Sequence, residues 1–392
     1  MIQLEKVKPI SPALMEEVGM SWHTDPDGQP YVVDEIVQVT EAEVDAYYNA
    51  ANELYDMFVE VAQHVIDNDR FLELDIPFNL VDQINRSWEN DHWHLYGRFD
   101  FAGGVDGLPI KLIEFNADTP TSLFETAVVQ WALLKANGMD EAAQFNTVYD
   151  SIRNNFCRLV TGEEDPETFG QYYNYQNILF SSIRDLPEDE RTVRFLQQMA
   201  SDAGFQTDFC YLDETGFLEE QGIFSPEDIR FDYWFKLYPW EDIALQTDGI
   251  NGILDEITRN TDTVILNPAY TLLYQSKGIM KVLYELFPDS PYLLETRYEP
   301  LQGKQQVSKT MFGREGANTT IYDAAGKILH QTPGDYNRYR SIYQEFASYP
   351  KDAQGRSYQA GVFFAWEACG LGFRRGGDVL DNLSKFVAHR VV

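Results

Sequence analysis

Positive charge is what this sequence has least of: 30 Lys and Arg face 63 Asp and Glu, a formal charge of −33 over 392 residues. A field of that sign repels a phosphate backbone, which argues against nucleic acid as a partner and favours cations such as Mg²⁺ and amines. Most of the surplus acids read as solvated surface. Cysteine is scarce too. Cys157, Cys210 and Cys369 make no CxxC pair and no disulfide framework, and none has a neighbouring histidine or a Gly-rich elbow. They read as small buried hydrophobes. No apolar run approaches the roughly 18 residues of a membrane helix. The start, MIQLEKVKPISPALMEE, lacks the basic-then-apolar pattern of a signal peptide. Repeats, low-complexity tracts and Pro/Ser-rich linkers are also missing. What is there, 44% apolar and 14% aromatic residues, suffices for a substantial core. A soluble, cytoplasmic protein without membrane contact is expected.

Residues 41 to 66 place Val44, Tyr48, Ala51, Leu54, Phe58, Val61 and Val65 at steps of three and four, which predicts a long amphipathic helix of structural role. From 92 to 117 short alternating runs flank Ala102-Gly103-Gly104-Val105-Asp106-Gly107, the pattern of a β-hairpin. Residues 121 to 136 read as helix, Phe205–Leu212 and Tyr233–Leu237 as short strands, and Val264-Ile265-Leu266 as a strand leading into helices. Short strands and Gly-containing turns alternate from 304 to 346, and Gly361–Trp366 reads as a last strand before a Gly- and Arg-rich tail. Without a regular βαβ beat, the expected class is α+β or mixed α/β.

The hairpin collects charge. In its first strand His94, Tyr96, Arg98 and Asp100 share one face; in its second, Glu114 and Asn116 oppose Ile113 and Phe115. If the polar faces coincide, Asp100, Glu114 and Asn116 converge beside Arg98. Two carboxylates and an amide oxygen are hard ligands that suit Mg²⁺, and an arginine fork suits phosphate or carboxylate. From spacing alone the simpler reading is an exposed, salt-bridged hairpin. The polar turn that follows, Asn116-Ala117-Asp118-Thr119-Pro120-Thr121-Ser122, leads into a helix and offers hydroxyls and amides to an anion, which shifts the balance.

A second concentration is basic. Leu301 to Arg314 contains no acid but carries Lys304, Lys309 and Arg314, and continues as Gly313-Arg314-Glu315-Gly316-Ala317-Asn318. A mobile loop of this kind suits a phosphate cover, although a surface hairpin with a few lysines is the commoner object. Gly370-Leu371-Gly372-Phe373-Arg374-Arg375-Gly376 imitates a dinucleotide fingerprint, but only 16 residues follow Gly376, too few for a βαβ unit. His92 and His94 have no companions at zinc spacing and read as strand side chains.

Taken in order, Gly19-Met20-Ser21-Trp22-His23-Thr24, Arg98-Phe99-Asp100, Glu114-Phe115-Asn116-Ala117-Asp118, Gly313-Arg314-Glu315-Gly316-Ala317-Asn318, Gly370-Leu371-Gly372-Phe373-Arg374 and Phe386-Val387-Ala388-His389 resemble the synthetase part of the glutathionylspermidine synthetase-like family, one of the ATP-grasp carboxylate–amine ligases. The resemblance spans nearly the whole chain, so the cysteine amidase domain that some relatives carry in front is not expected. It implies an ATP-grasp fold with a flexible phosphate-covering lid. It further implies that Asp100, Glu114 and Asn116 hold Mg²⁺, two ions in all, while Arg98 steadies the transferring phosphoryl group and the substrate carboxylate. Lys277 and Lys309 correspond to ATP-binding lysines, Glu315 and Gly316 to the lid's contact with nucleotide, and Gln344 to the adenine site. Thr119, Arg314 and Arg374 fall to the acid substrate, and Glu188 and Asp189 to the peptide substrate of the characterised enzymes. The sequence departs from the pattern at Leu237, where relatives have a threonine that helps to bind glutathione. It departs again at Lys385, where the spermidine enzymes have an acid.

The expected organisation is an N-terminal and central region over 1–263, a lid over 264–346 and C-terminal strands completing the core over 347–392. The expected activity is ATP-dependent joining of a peptide-like or small carboxylic acid to an amine through an acyl phosphate. A non-catalytic, nucleotide-dependent scaffold that kept the fold is the alternative, and a homodimer is compatible with either.

Overall fold

The hairpin lies at one side of a seven-stranded sheet in the computed structural model, which describes residues 1–381 and 383–392. The sheet runs β1 (Leu4–Lys6), β2 (Val32–Val39), β19 (Lys385–Val391), β18 (Glu367–Gly376), β17 (Ser357–Ala365), β3 (Gly97–Ala102), β4 (Lys111–Asn116). All its pairings are antiparallel except β19 with β2. A second, parallel sheet orders β11 (Val264–Leu266), β10 (Tyr233–Lys236), β5 (Asn177–Ser182) and β6 (Gln206–Tyr211). Beside it lie three short antiparallel strands, β7 (Gly216–Leu218), β8 (Gly222–Phe224) and β9 (Arg230–Phe231). The last sheet is antiparallel: β12 (Thr296–Arg297), β16 (Ser341–Glu345), β13 (Gln306–Thr310), β14 (Thr320–Tyr322) and β15 (Ile328–Gln331).

The fold is mixed α/β, as the alternation of elements predicts. One stretch departs from the expected irregularity: β5, helix Pro187–Ala203 and β6 form a βαβ unit. The sequence hides this helix because its first turn, Glu188-Asp189-Glu190, is wholly acidic. That charge favours a helix N-terminus even though it masks the apolar stripe behind it. The parallel sheet draws strands from both sides of residue 263. The Gly- and Arg-rich segment is not a tail after the last strand but a strand itself, β18, followed by β19. Its glycines permit close packing: a Cβ on Gly370 would stand 2.2 Å from Val148 Cγ2, and one on Gly372 2.8 Å from Thr126 Oγ1. No phosphate loop is formed there.

Helix Glu41–Asp67 supports the hairpin from behind. Thr40 caps it with a reciprocal pair: Glu43 N donates to Thr40 Oγ1 (3.2 Å) and Thr40 N donates to Glu43 Oε2 (2.8 Å). The buried stripe includes Ala51, Leu54, Phe58, Val61 and Val65 as expected, but Tyr47 replaces Tyr48 in it. Tyr47 turns inward because its hydroxyl finds the Gly103 carbonyl at 2.6 Å. Phe58 meets Phe115 at 5.1 Å, Tyr274 at 5.6 Å and Phe99 at 5.9 Å, so it sits under both hairpin strands. Phe58→Ala is therefore expected to cost about 3–5 kcal/mol of stability, read as a lower urea midpoint at unchanged slope.

Candidate active site

The register of the hairpin decides whether its polar residues meet. Arg98 stands opposite Asn116 and Asp100 opposite Glu114, so the polar faces do coincide. Beyond that pair the register shifts and Phe101 faces Leu112, which leaves Ile113 as the extra residue of a β-bulge in β4. The face is not the exposed ribbon of the simpler reading. β3 lies between β17 and β4, and Arg98 and Asp100 are 6% and 2% exposed. Nor are the histidines on the strand. His94 precedes it and is tied to the Ala117 carbonyl (Nε2, 3.0 Å) and Tyr55 hydroxyl (Nδ1, 3.2 Å), and burial pushes its pKa down to about 4.

Arg98 grips Asp100 with two bonds, Nε to Oδ1 at 2.6 Å and Nη2 to Oδ2 at 2.9 Å, while Nη1 donates to the Thr121 carbonyl at 2.6 Å. Burial works against its charge, and the Asp100 carboxylate more than offsets that, so the arginine stays above its ordinary pKa. Asn116 Nδ2 donates to Asp100 Oδ2 at 3.2 Å. Among the described residues no three His, Cys, Asp or Glu side chains lie close enough to hold a metal. An ion here would take the carboxylates of Asp100 and Glu114 and the amide oxygen of Asn116, and complete its shell with water or phosphate oxygens. That donor set suits Mg²⁺.

Glu114 faces a cleft of about 720 Å³ that also gathers Lys277, Lys309, Glu315, Gly316 and Gln344. Lys277 Nζ sits 3.0 Å from Glu114 Oε2 and donates to the Gly313 carbonyl at 2.7 Å. Burial would raise the Glu114 carboxyl, but Lys277 and Lys309 override it and hold it at about 2. Lys309 is buried enough that its ammonium falls to about 8, with Glu114 opposing the shift. Lys309 donates to Gln344 Oε1 at 2.9 Å, and because a lysine only donates, this fixes which way the amide points. The Gln344 Nε2 is left buried and without a partner. Ile113, Val307, Ile321, Phe346 and Leu380 supply an apolar side. A planar base that accepts one hydrogen bond, with phosphates on the lysine side, matches this lining.

A recess of about 260 Å³ adjoins Arg98 and Asp100, with Ser122, Thr126 and Arg374 in its wall. Arg374 donates to the Asp381 carbonyl at 2.5 Å, and its Nε is buried without a partner. Glu188 and Asp189 open helix Pro187–Ala203 nearby. Burial, then Glu125 and Asp189, push Glu188 up to about 8; burial pushes Asp189 to about 6, with Arg314 opposing. Sequence motifs give Glu125 no role, although it is the lone acid of the apolar helical stretch 121 to 136, which is the signal that could have found it. It is fully buried, accepts from Trp22 Nε1 at 3.0 Å through Oε1, and leaves Oε2 unpartnered.

These shifts give a pH dependence. An unfolded glutamate titrates near 4.5 and Glu188 near 8, so in between the folded chain holds a proton the unfolded chain has lost. Stability from this group is undisturbed below the lower value and falls as pH rises through the window. Glu188→Gln should lessen the fall, seen as a Tm that drops less between pH 5 and 8 than that of the parent.

The cations of the basic island are not isolated; their acids come from outside it. Lys304 pairs with Glu295 and Glu345, both at 2.9 Å. Arg314 reaches Glu241 at 2.6 Å and Thr119 Oγ1 at 3.1 Å, so the loop 311–319 is clasped to the turn after β4 and to the segment after β10. Beneath the clasp lies a fully buried ion pair, Lys236 with Asp118 at 3.1 Å, both 0% exposed. Asp118 also accepts from Trp240 N at 2.9 Å, and Lys236 donates to the Tyr238 carbonyl at 2.8 Å. The pair has one sequence signal, a lysine inside the apolar run of β10. Its partner lies too far along the chain for any local pattern to reveal.

Over residues 2–392 the chain matches the family described as glutathionylspermidine synthase preATP-grasp. It belongs to that family. A Haemophilus influenzae protein provisionally named an acid–amine ligase is 29% identical, with 98% of each chain aligned. Trypanothione synthetase of Crithidia fasciculata is 25% identical over 86% of this chain, which spans 54% of that longer protein. In three dimensions a glutathione synthetase-like effector from Globodera pallida, in its apo form, superposes with a TM-score of 0.58 over 99% of this chain and 100% of its own, at 9% identity. That likeness establishes the glutathione synthetase-like, ATP-grasp fold. The ligase and synthetase names of the relatives place this family member among ATP-dependent carbon–nitrogen ligases. No helix among the described residues is long and apolar enough to cross a membrane.

Proposed function

We propose that this protein joins a carboxylic acid to an amine by way of an acyl phosphate. What carries the reading is one arrangement: the lysine-lined cleft and the arginine recess meet at the Asp100–Glu114 pair. ATP would lie with its base against Gln344 and its phosphates toward Lys277 and Lys309, under Glu315 and Gly316. The acid would lie in the recess, its carboxylate between Arg98 and Arg374, with Thr119, Arg314, Glu188 and Asp189 shaping the rest of its site. Mg²⁺ bound by Asp100, Glu114 and Asn116 would supply charge neutralisation of the phosphates.

The chemistry then balances without a protein nucleophile. A carboxylate oxygen forms a bond to the γ-phosphorus as the β–γ bridge breaks, giving acyl phosphate and ADP. The amine nitrogen forms the amide bond as the acyl–oxygen bond breaks, and phosphate and a proton leave. The residues' part is positioning and preorganised charge, the main source of acceleration in phosphoryl transfer. At the two places where the sequence departs from the substrate pattern of the family, Leu237 is buried and apolar, and Lys385 is paired with Asp25. We therefore assign a peptide-like or small acid and an amine without naming glutathione or spermidine. The test is ADP release and a mass-resolved product from acid–amine mixtures. ADP formation that needs the amine supports the reading; ATP binding without an acid- and amine-dependent product would refute it.

A further inference from the structure

Behind the hairpin, on the side away from Glu114 and Asn116, opens a cavity of about 1770 Å³ that shares no lining residue with the nucleotide cleft or the arginine recess. Its walls are aromatic: Trp88, Trp93, Trp366, Tyr55, Tyr270 and Tyr274 all line it, including three of the chain's 7 tryptophans. Trp93 and Trp366 stack at 5.3 Å with their planes 17° apart. Trp366 occupies the turn from β17 to β18 at φ +70°, a value bulky residues rarely take, and is 47% exposed. Soluble proteins seldom leave such a concave aromatic wall without an occupant.

The charges say what would fit. Burial pushes both His92 and His94 down to about 4, so each is neutral at neutral pH. The charged groups that line the cavity are then Arg158, Asp91 and Glu163. Arg158 already stacks on Trp366, 4.1 Å from the ring centroid, so the wall accepts a planar cation. Asp91 and Glu163 are exposed at the rim, and among the described residues neither has an ion-pair partner. At the floor the Tyr274 hydroxyl, on a residue 2% exposed, lacks any hydrogen-bond partner, an arrangement that costs stability unless a ligand supplies one.

We infer that this cavity is a binding site for an organic cation, an ammonium group carried on an apolar or aromatic body. The indole and phenol faces would hold the ammonium by cation–π attraction, the rim carboxylates would add Coulomb attraction, and an N–H, where the ammonium has one, could donate to Tyr274. An anion would meet two carboxylates against a single cation, Arg158, which is already stacked on Trp366. The inference is independent of the proposed ligase reaction, since it uses none of that site's residues.

Benzyltrimethylammonium, which cannot be acylated, is a suitable probe, followed by titration calorimetry and tryptophan fluorescence against 3-phenylpropionate and benzyl alcohol. One saturable site is expected, with the cation bound at least about tenfold more tightly than either control and not displaced by Mg²⁺-ATP. Trp366→Leu and the double variant Asp91→Asn/Glu163→Gln should each weaken it about tenfold or more. All three positions are exposed, and the carboxylate variant carries the test alone if the tryptophan variant misfolds. Equal binding of the anion or alcohol, displacement by Mg²⁺-ATP, unchanged affinity in the variants or no saturable binding would each overturn the assignment.

Discussion

Asp100→Asn is expected to lose ATP-dependent amide formation by about a hundredfold or more, and to lose stability as well. On the proposed reading the first loss follows from removing a charged ligand of the phosphate-bound cation. The second follows from the structure alone. Arg98 is buried and both of its bonds to Asp100 are charge-assisted, so an asparagine leaves a buried guanidinium without its bonded counter-charge. Breaking a buried pair in this way costs about 3–5 kcal/mol. Coupled-enzyme detection of ADP and urea denaturation read the two separately. Parental turnover in the variant would remove Asp100 from the chemistry, and parental stability would mean the pair is better hydrated than its burial implies.

Lys236→Met should destabilise the protein as strongly as Asp100→Asn does. The lysine and Asp118 are both inaccessible, and Asp118 would be left as an uncompensated carboxylate beside Glu241. Burial, with Glu241 adding to it, already raises the Asp118 carboxyl even with Lys236 present, so the unpaired group would take up a proton. A loss of about 3–5 kcal/mol is expected, and Asp118→Asn in the same chain should restore much of it, since an apolar and a neutral partner can replace a buried ion pair at little cost. Calorimetric Tm values of the two single variants and the double variant settle the matter. Additive losses would show that the residues do not act as a pair.

Local objects are legible in the sequence and long-range ones are concealed. The apolar stripe of helix Glu41–Asp67 and the alternation in the hairpin are properties of neighbours in the chain, so periodicity exposes both. That the hairpin is interior rather than exposed depends on β17, some 260 residues away, which no local pattern reports. Ordered motifs point to Glu114, Lys277, Lys309 and Gln344, and the structure brings these residues into one cleft. Glu241 and the pairing of Lys236 with Asp118 stay hidden because a buried charge is written with the same letter as a solvated one. The partner of Arg314 is hidden for the same reason: Glu241 lies outside its segment.

The bulge in β4 sets a rule for how this hairpin can change over evolution or by engineering. Ile113 is the residue left over when the register shifts, and its carbonyl accepts a hydrogen bond from Lys309 at 3.3 Å. On the turn side of the bulge only the exposed tip, Asp106 and Gly107, is open to change: a Cβ on Gly103 would stand 2.0 Å from the Pro109 carbonyl oxygen, one on Gly104 2.2 Å from the Tyr47 ring, and Val105 and Ile110 are buried in the core. A one-residue insertion between Glu114 and Asn116 would instead put those two side chains on opposite faces and separate the polar set. The hairpin is thus editable only at its outermost two residues and intolerant of a single step at its base.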